Sequence, residues 1–215
     1  MTIKACLFDA YGTLFDVYSV KQKCEDMYPE KGEQISLDWR EKQLEYAFLR
    51  QILQKYEPFD QITERALRAA LDLHQPDYQE EDVKKLTAAY EELTPYEETK
   101  QVLSDLDVDQ VFIYSNGTSG MLEPLLKNNG MESLIGIISA DEAKQYKPAP
   151  AAYQYALEKL GLNKKEVLFV SSNQWDIAGA SSFGFQTAWI NRKEEPVSQL
   201  GFEPDKICSD LNGLL

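Results

Sequence analysis

The chain opens on a short apolar run, Ile3 to Phe8, which stops at Asp9 and is followed by the turn formers Gly12 and Thr13. A run of this length bounded by turn residues predicts a buried strand with a loop at its carboxyl end. Comparable runs recur at Gln110 to Ser115, Ile135 to Ser139, Val167 to Ser171 and Thr187 to Asn191. Helix-like stretches separate them, such as Gly120 to Asn128, Ala149 to Leu160 and Asp176 to Phe183. That alternation predicts an α/β fold, a parallel sheet with crossover helices.

Residues 16–95 break the alternation, with no convincing strand and long helical stretches at Asp38 to Lys55, Gln61 to Leu73 and Glu80 to Leu93. They predict a helical insertion after the first strand, joined through short hinges near Phe15 and Thr94-Pro95. A core domain of residues 1–15 and 96–215 would then carry a helical cap domain of residues 16–95. Open α/β sheets bind ligands beyond the carboxyl ends of their strands. Here those ends carry Asp9, Ser115 with Asn116, Lys147, and Ser171 with Asn173 and Asp176, so separate segments direct polar side chains to one crevice.

Composition narrows the function. Apolar residues make up 43% of the 215 and charged residues 27%, as in a water-soluble globular protein. No apolar run approaches the roughly 20 residues of a membrane span, and the chain enters its first strand too early for a signal peptide, so a cytoplasmic protein is expected. Cys6, Cys24 and Cys208 show no metal or CxxC spacing and read as reduced packing residues. A net charge of −14 disfavours nucleic acid and anionic membrane as partners. Any anionic substrate must therefore meet local Arg or Lys. The single histidine, His74, reads as a solvated residue at a helix end, which speaks against serine–histidine triads, cysteine–histidine pairs and histidine-rich metal sites.

Two core motifs carry a resemblance. Phe8-Asp9-Ala10-Tyr11-Gly12-Thr13-Leu14 resembles the first motif of the haloacid dehalogenase superfamily, in which the first Asp is the nucleophile. The phosphatase branch places a second Asp, the general acid, where this chain has Tyr11. In Val170 to Asp176, those phosphatases place a magnesium-binding Asp where this chain has Ser172, a poorer ligand than a carboxylate. Both departures are normal in the L-2-haloacid dehalogenases, and the stretch Trp39 to Tyr46 supplies a third match. The resemblance runs from Phe8 to Phe185 in the expected order. It implies a Rossmann-like core with an inserted cap, hydrolysis of small L-2-haloacids to D-2-hydroxyacids, no cofactor, no metal, and a homodimer.

Displacing halide from a saturated carbon needs an unprotonated nucleophile, which a carboxylate supplies at neutral pH, and Asp9 fits. Lys147 resembles the family lysine that keeps the nucleophile ionised and balances an anionic substrate. Unit charges about 4 Å apart interact by roughly 4 kcal/mol at an effective dielectric near 20, enough to offset an acidic protein's field. Asp38 with Glu41 reads as a capping box, which puts Arg40 in a first helical turn, where the helix dipole disfavours a cation. Arg40 also shares a stripe with Leu44 and Phe48. By resemblance it receives the departing halide, with Asn116 contributing. Glu41 stands where related chains carry glutamine, and the capping box would turn it away.

The resemblance further implies that Asp176 places or deprotonates the hydrolytic water, although capping of the helix from Ile177 is compatible with the same residue. Ser115 would bind the substrate carboxylate, and Thr13, Ser171, Asn173 and Tyr153 would orient Asp9 and Lys147, Tyr153 also counting among the substrate-binding residues. Tyr11, Leu44, Phe59 and Trp175 would enclose the carbon skeleton, with ordinary core as the plainer reading of each. Two other functions stay open. A magnesium-dependent phosphatase is opposed by Tyr11 and Ser172, and a non-catalytic binder of small acids is opposed by the intact polar set.

Overall fold

The computed structural model describes residues 2–215, apart from the side chain of Tyr18. Strand β1 (Ala5–Phe8) is buried at every position and is followed by the two-residue β2 (Phe15–Asp16). Four helices come next, α1 (Tyr18–Met27), α2 (Gly32–Ile52), α3 (Phe59–His74) and α4 (Glu80–Ala88), and then β3 (Thr94–Pro95). The rest alternates as α5 (Thr99–Asp105), β4 (Gln110–Ser115), α6 (Ser119–Asn128), β5 (Gly136–Ser139), α7 (Pro150–Leu160), β6 (Val167–Ser171), α8 (Gln174–Phe183), β7 (Gln186–Ile190) and β8 (Lys206–Cys208).

Six of these strands form one sheet in the order β5-β4-β1-β6-β7-β8, with every pairing parallel. Parallel strands need crossover connections that cover both faces, and side chains alternate between the faces. Cys6 and Phe8 accordingly join Ile113 and Val170 in one core cluster, while Ala5 and Leu7 join Tyr114 and Phe169 in another. The first cluster continues into the helices between β2 and β3 through Trp39, Leu67 and Leu86. From β1 the strand order runs outward through β4 and β5, then returns to β6 on the other side of β1. The reversal opens a crevice at the carboxyl end of β1, where Asp9 lies.

The expected α/β sheet is present, and several local expectations are corrected. Helix α2 begins at Gly32, so Asp38 lies inside it and forms no capping box. The buried stripe Gly32, Ile35, Trp39, Gln43 and Ala47 holds the earlier turns in helical form. Arg40 is therefore an interior helical residue, and the helix-dipole conflict inferred for it does not exist. Asp38 instead meets His74 at 2.5 Å, so His74 is a partnered, part-buried residue on α3. Glu41 does point away from the core, because of helical phase. The segment Glu80 to Leu93 ends its α-helix at Ala88 and continues as a 3₁₀ turn over Ala89–Glu91. The joins near Phe15 and Thr94 form a two-stranded antiparallel ladder, and α1, α5 and β8 were not foreseen. Among the described residues, no helix is long and apolar enough to cross a membrane, and all three cysteines are free and buried.

Candidate active site

Asp9 leaves β1 with its backbone N–H bonded to the Val170 carbonyl at 2.9 Å, which ties the loop to β6. Gly12 takes φ +85°, a conformation that L side chains rarely adopt, and a Cβ there would stand 3.2 Å from Ser172 Oγ. The turn brings Thr13 back to Asp9: Thr13 Oγ1 is 3.3 Å from Asp9 Oδ2 and accepts from the Ser172 N–H at 2.8 Å. Asn173, at the start of α8, donates its amide to Asp9 Oδ2 at 2.8 Å.

The other carboxylate oxygen belongs to Lys147. Its ammonium donates to Asp9 Oδ1 at 3.1 Å, to Asp176 Oδ2 at 2.6 Å and to the Tyr114 carbonyl at 2.9 Å, which uses all three protons. Tyr153 donates to Asp176 Oδ1 at 2.6 Å. Lys147 and Asp176 have no exposed surface and Asp9 has 5%. Burial pushes the Lys147 ammonium down, but the carboxylates of Asp176 and Asp9 outweigh it and hold the group above the usual lysine value. Burial raises Asp176 to about 6, with Lys147 pulling down and the Asp9 charge pushing up.

Two carboxylates and one ammonium leave the cluster one negative charge in excess. Arg40, half-buried on α2, faces the same space and has no acidic partner among the described residues. Its guanidinium donates to Gln43 Oε1 at 2.7 Å. Asp9, Lys147, Ser115 and Asn116 from the sheet side meet Arg40, Leu44 and Phe59 from α2 and α3 around a chamber of about 10 Å³, with Tyr11 and Trp175 completing its wall. That is roughly room for one water. Tyr11 Oη and Trp175 Nε1 are buried donors without partners. Tyr11, Arg40, Leu44 and Trp175 also bound an outer cleft of about 440 Å³.

Some of the expected site residues stand elsewhere in this network. Ser171 Oγ accepts from the Asn173 N–H at 3.1 Å and supports the turn after β6, without touching Asp9 or Lys147. Tyr153 lies behind Asp176, outside the chamber, and orients that carboxylate alone. Asp176 does not cap α8: the helix starts at Gln174 with Asn173 at its N-cap and no side-chain cap bond, and Asp176 accepts from Lys147 and Tyr153 instead. Asn116 clamps the Lys147 backbone through both its amide oxygen and its amide nitrogen, at 2.8 and 3.2 Å, which leaves one N–H for a ligand. Ser115 Oγ accepts from the Gly117 N–H at 3.1 Å and keeps its own proton free. The Tyr114 carbonyl was missed, since a backbone acceptor leaves no trace in residue identity.

Magnesium, which a phosphatase of this fold would require, does not fit these groups. Among the described residues no three His, Cys, Asp or Glu side chains gather into a cation site, and both central carboxylates lie on the Lys147 ammonium.

Comparison with known proteins agrees with the geometry. The haloacid dehalogenase-like hydrolase family matches residues 3–184. The chain is 41% identical over 215 residues to (S)-2-haloacid dehalogenase 2 of Pseudomonas sp. (strain CBS-3), covering 99% of this chain and 94% of that one. It is 41% identical over 206 residues to haloacetate dehalogenase H-2 of Moraxella sp. (strain B), covering 94% and 92%. The structure of L-2-haloacid dehalogenase from Xanthobacter autotrophicus with chloropropionic acid covalently bound superposes with a TM-score of 0.92 at 36% identity, over 99% of this chain and 97% of that one. The chain belongs to the haloacid dehalogenase-like hydrolases, in the branch of the L-2-haloacid dehalogenases.

Proposed function

We propose that the protein hydrolyses small L-2-haloalkanoic acids, such as 2-chloropropionate and chloroacetate, to the D-2-hydroxyacids or, for chloroacetate, glycolate. The observation that carries this reading is one small chamber lined by both Asp9, tied to Lys147, and Arg40, which no carboxylate among the described residues neutralises.

Asp9 attacks C2 from the side away from the halogen, the carbon–halogen electron pair departs with the halide, and configuration inverts. Arg40 and the free N–H of Asn116 receive the halide. The free proton of Ser115 and the unpartnered donors of Tyr11 and Trp175 meet the substrate carboxylate. Leu44 and Phe59 exclude water from the reacting carbon. Asn173 and Thr13 hold Oδ2 of Asp9, and Ser171 and Tyr153 act one step back, on Asn173 and Asp176. Asp176 then takes a proton from water, which attacks the side-chain carbonyl carbon of the Asp9 ester. Lys147 stabilises the oxyanion. When the acyl–oxygen bond breaks, the product alkoxide takes one proton of that water and the second leaves with the halide.

A chamber for one water requires Trp175, Leu44 or the helices that carry Arg40 and Phe59 to shift as substrate arrives from the outer cleft. Residues 16–95 act as this cap over a core of 1–15 and 96–215. The exposed Ile52 and Leu53, at 75% and 64%, support association as a homodimer. Three reduced, buried cysteines suit the cytoplasm. Halide release from separate L and D forms of 2-chloropropionate, in excess chelator and with Asp9→Asn as control, tests the reading. Release from the L form alone is expected. Release that needs magnesium, or that survives Asp9→Asn, would overturn it, and release of phosphate from phosphoesters would favour a phosphatase.

A further inference from the structure

One position of the most buried stripe of α2 is an amide. Ile35, Trp39, Gln43 and Ala47 share that stripe, and Gln43 has no exposed surface. A buried amide without partners is destabilising, a cost that a leucine or methionine at the same place would avoid. Gln43 is instead engaged at both ends. Its Oε1 accepts from Arg40 Nη1 at 2.7 Å, and its Nε2 donates to Thr63 Oγ1 at 2.7 Å.

The direction of this chain is fixed from α3. The Thr63 hydroxyl donates its one proton to the Phe59 carbonyl at 2.7 Å, so its oxygen can only accept from Gln43. The Trp39 indole donates to the Thr63 carbonyl at 2.8 Å and locks the two helices in register. The Gln43 amide must therefore turn its nitrogen to Thr63 and its oxygen to Arg40. A guanidinium has five donors and no acceptor, so this oxygen holds one of them and leaves the others free.

The acceptor is also neutral. Partly buried arginines usually meet a carboxylate, and this chain carries 36 Asp and Glu against 22 Lys and Arg. Yet no carboxylate lies within ion-pair distance of Arg40 among the described residues. An amide fixes the guanidinium without cancelling the charge that a departing anion needs.

We propose that Gln43 is a positioning residue for leaving-group departure: through the relay Phe59 carbonyl–Thr63–Gln43 it sets the Arg40 guanidinium at the chamber with its charge intact. The proposal rests on reading Arg40 as the halide acceptor. Its effect should depend on the leaving group, because bromide departs with less help than chloride.

Gln43→Met removes the acceptor while keeping side-chain length, and Thr63→Val removes the hydroxyl that orients the amide. For Gln43→Met, kcat on L-2-chloropropionate should fall about tenfold and on L-2-bromopropionate less, so the bromo-to-chloro ratio rises about threefold or more, with KM within about twofold. Thr63→Val should move the ratio the same way by a smaller factor. Bromide NMR line broadening by the resting protein should weaken in both variants, which a loss of packing alone would not produce. Variants with a lowered Tm, an unchanged bromo-to-chloro ratio and unchanged bromide binding would overturn the proposal. If Gln43→Met does not fold, Thr63→Val decides it by the same ratio. If the wild-type protein releases no halide, the functional reading fails, and the bromide titration still tests the coupling of Gln43 to Arg40.

Discussion

Asp176 Oδ2 stands 2.6 Å from Lys147 Nζ, and neither side chain has any exposed surface. A buried ion pair is weak evidence for stability, because desolvating both charges offsets most of their attraction. Its value here is chemical. Lys147 bonds to Asp176 and to Asp9 through one ammonium, which puts the carboxylate proposed as proton acceptor in the same hydrogen-bond network as the proposed nucleophile.

The acid limb of the pH profile should belong to this cluster. With Asp176 raised to about 6, turnover should fall about tenfold per pH unit below that value, as the proton acceptor is filled. Lys147 is held above the usual lysine value by Asp176 and Asp9, so its titration should produce no alkaline limb just above neutrality. The stability effect has the opposite sign. Between 3.8 and about 6 the folded state binds more of this proton than the unfolded state, so Asp176 favours folding as pH falls through that window. Rate profiles paired with circular dichroism should show activity lost near about pH 5 with the fold retained. A rate that stays level through pH 6, or that falls only with unfolding, would contradict the assignment.

Lys147→Met leaves Asp9 and Asp176 buried without their common cation. Removing one partner of a buried pair costs about 3–5 kcal/mol, so denaturant unfolding should show a loss of that size together with no measurable turnover. Adding Asp176→Asn removes one of the two stranded charges and should recover part of the stability without activity. Equal stability of single and double variants would show that the carboxylates do not repel.

Asn173→Ala frees Asp9 Oδ2 from its 2.8 Å amide donor. A hydrogen bond to a charged group contributes about 1.5–3 kcal/mol, so kcat should fall by about tenfold to a hundredfold. Steady-state kinetics check this. A rise in KM at constant kcat would place Asn173 in substrate binding instead.

Glu41 is exposed on α2, facing away from the chamber lined by Arg40 and Leu44. Glu41→Gln should therefore leave KM for L-2-chloropropionate within about twofold, since a surface charge is largely screened at physiological salt. A large drop in KM would mean that this carboxylate repels the substrate.

The sheet was legible because its strands are short apolar runs bounded by turn residues. Gln110–Ser115 and Val167–Ser171 take the expected limits to the residue. The start of α2 was not, because its N-cap Lys31 makes no side-chain cap bond and gives no signal, while Asp38 and Glu41 imitate a capping box inside the helix. The residues that gather at the strand ends could be read from position alone. Their partners could not: Ser171 serves Asn173, Tyr153 serves Asp176 and Asn116 serves the Lys147 backbone, and each choice depends on rotamers set by tertiary packing. Gln43 did leave a trace, as the one amide in an otherwise apolar stripe of spacing three to four.

In the proposed route the oxygen first delivered to the substrate carbon comes from Asp9. A single turnover of L-2-chloropropionate in heavy-oxygen water, with enzyme in excess, tests it most directly. The first hydroxyl oxygen should be unlabelled, and the label should enter Asp9. A fully labelled lactate with unlabelled Asp9 would show that water attacks the substrate directly, and the covalent route would be wrong.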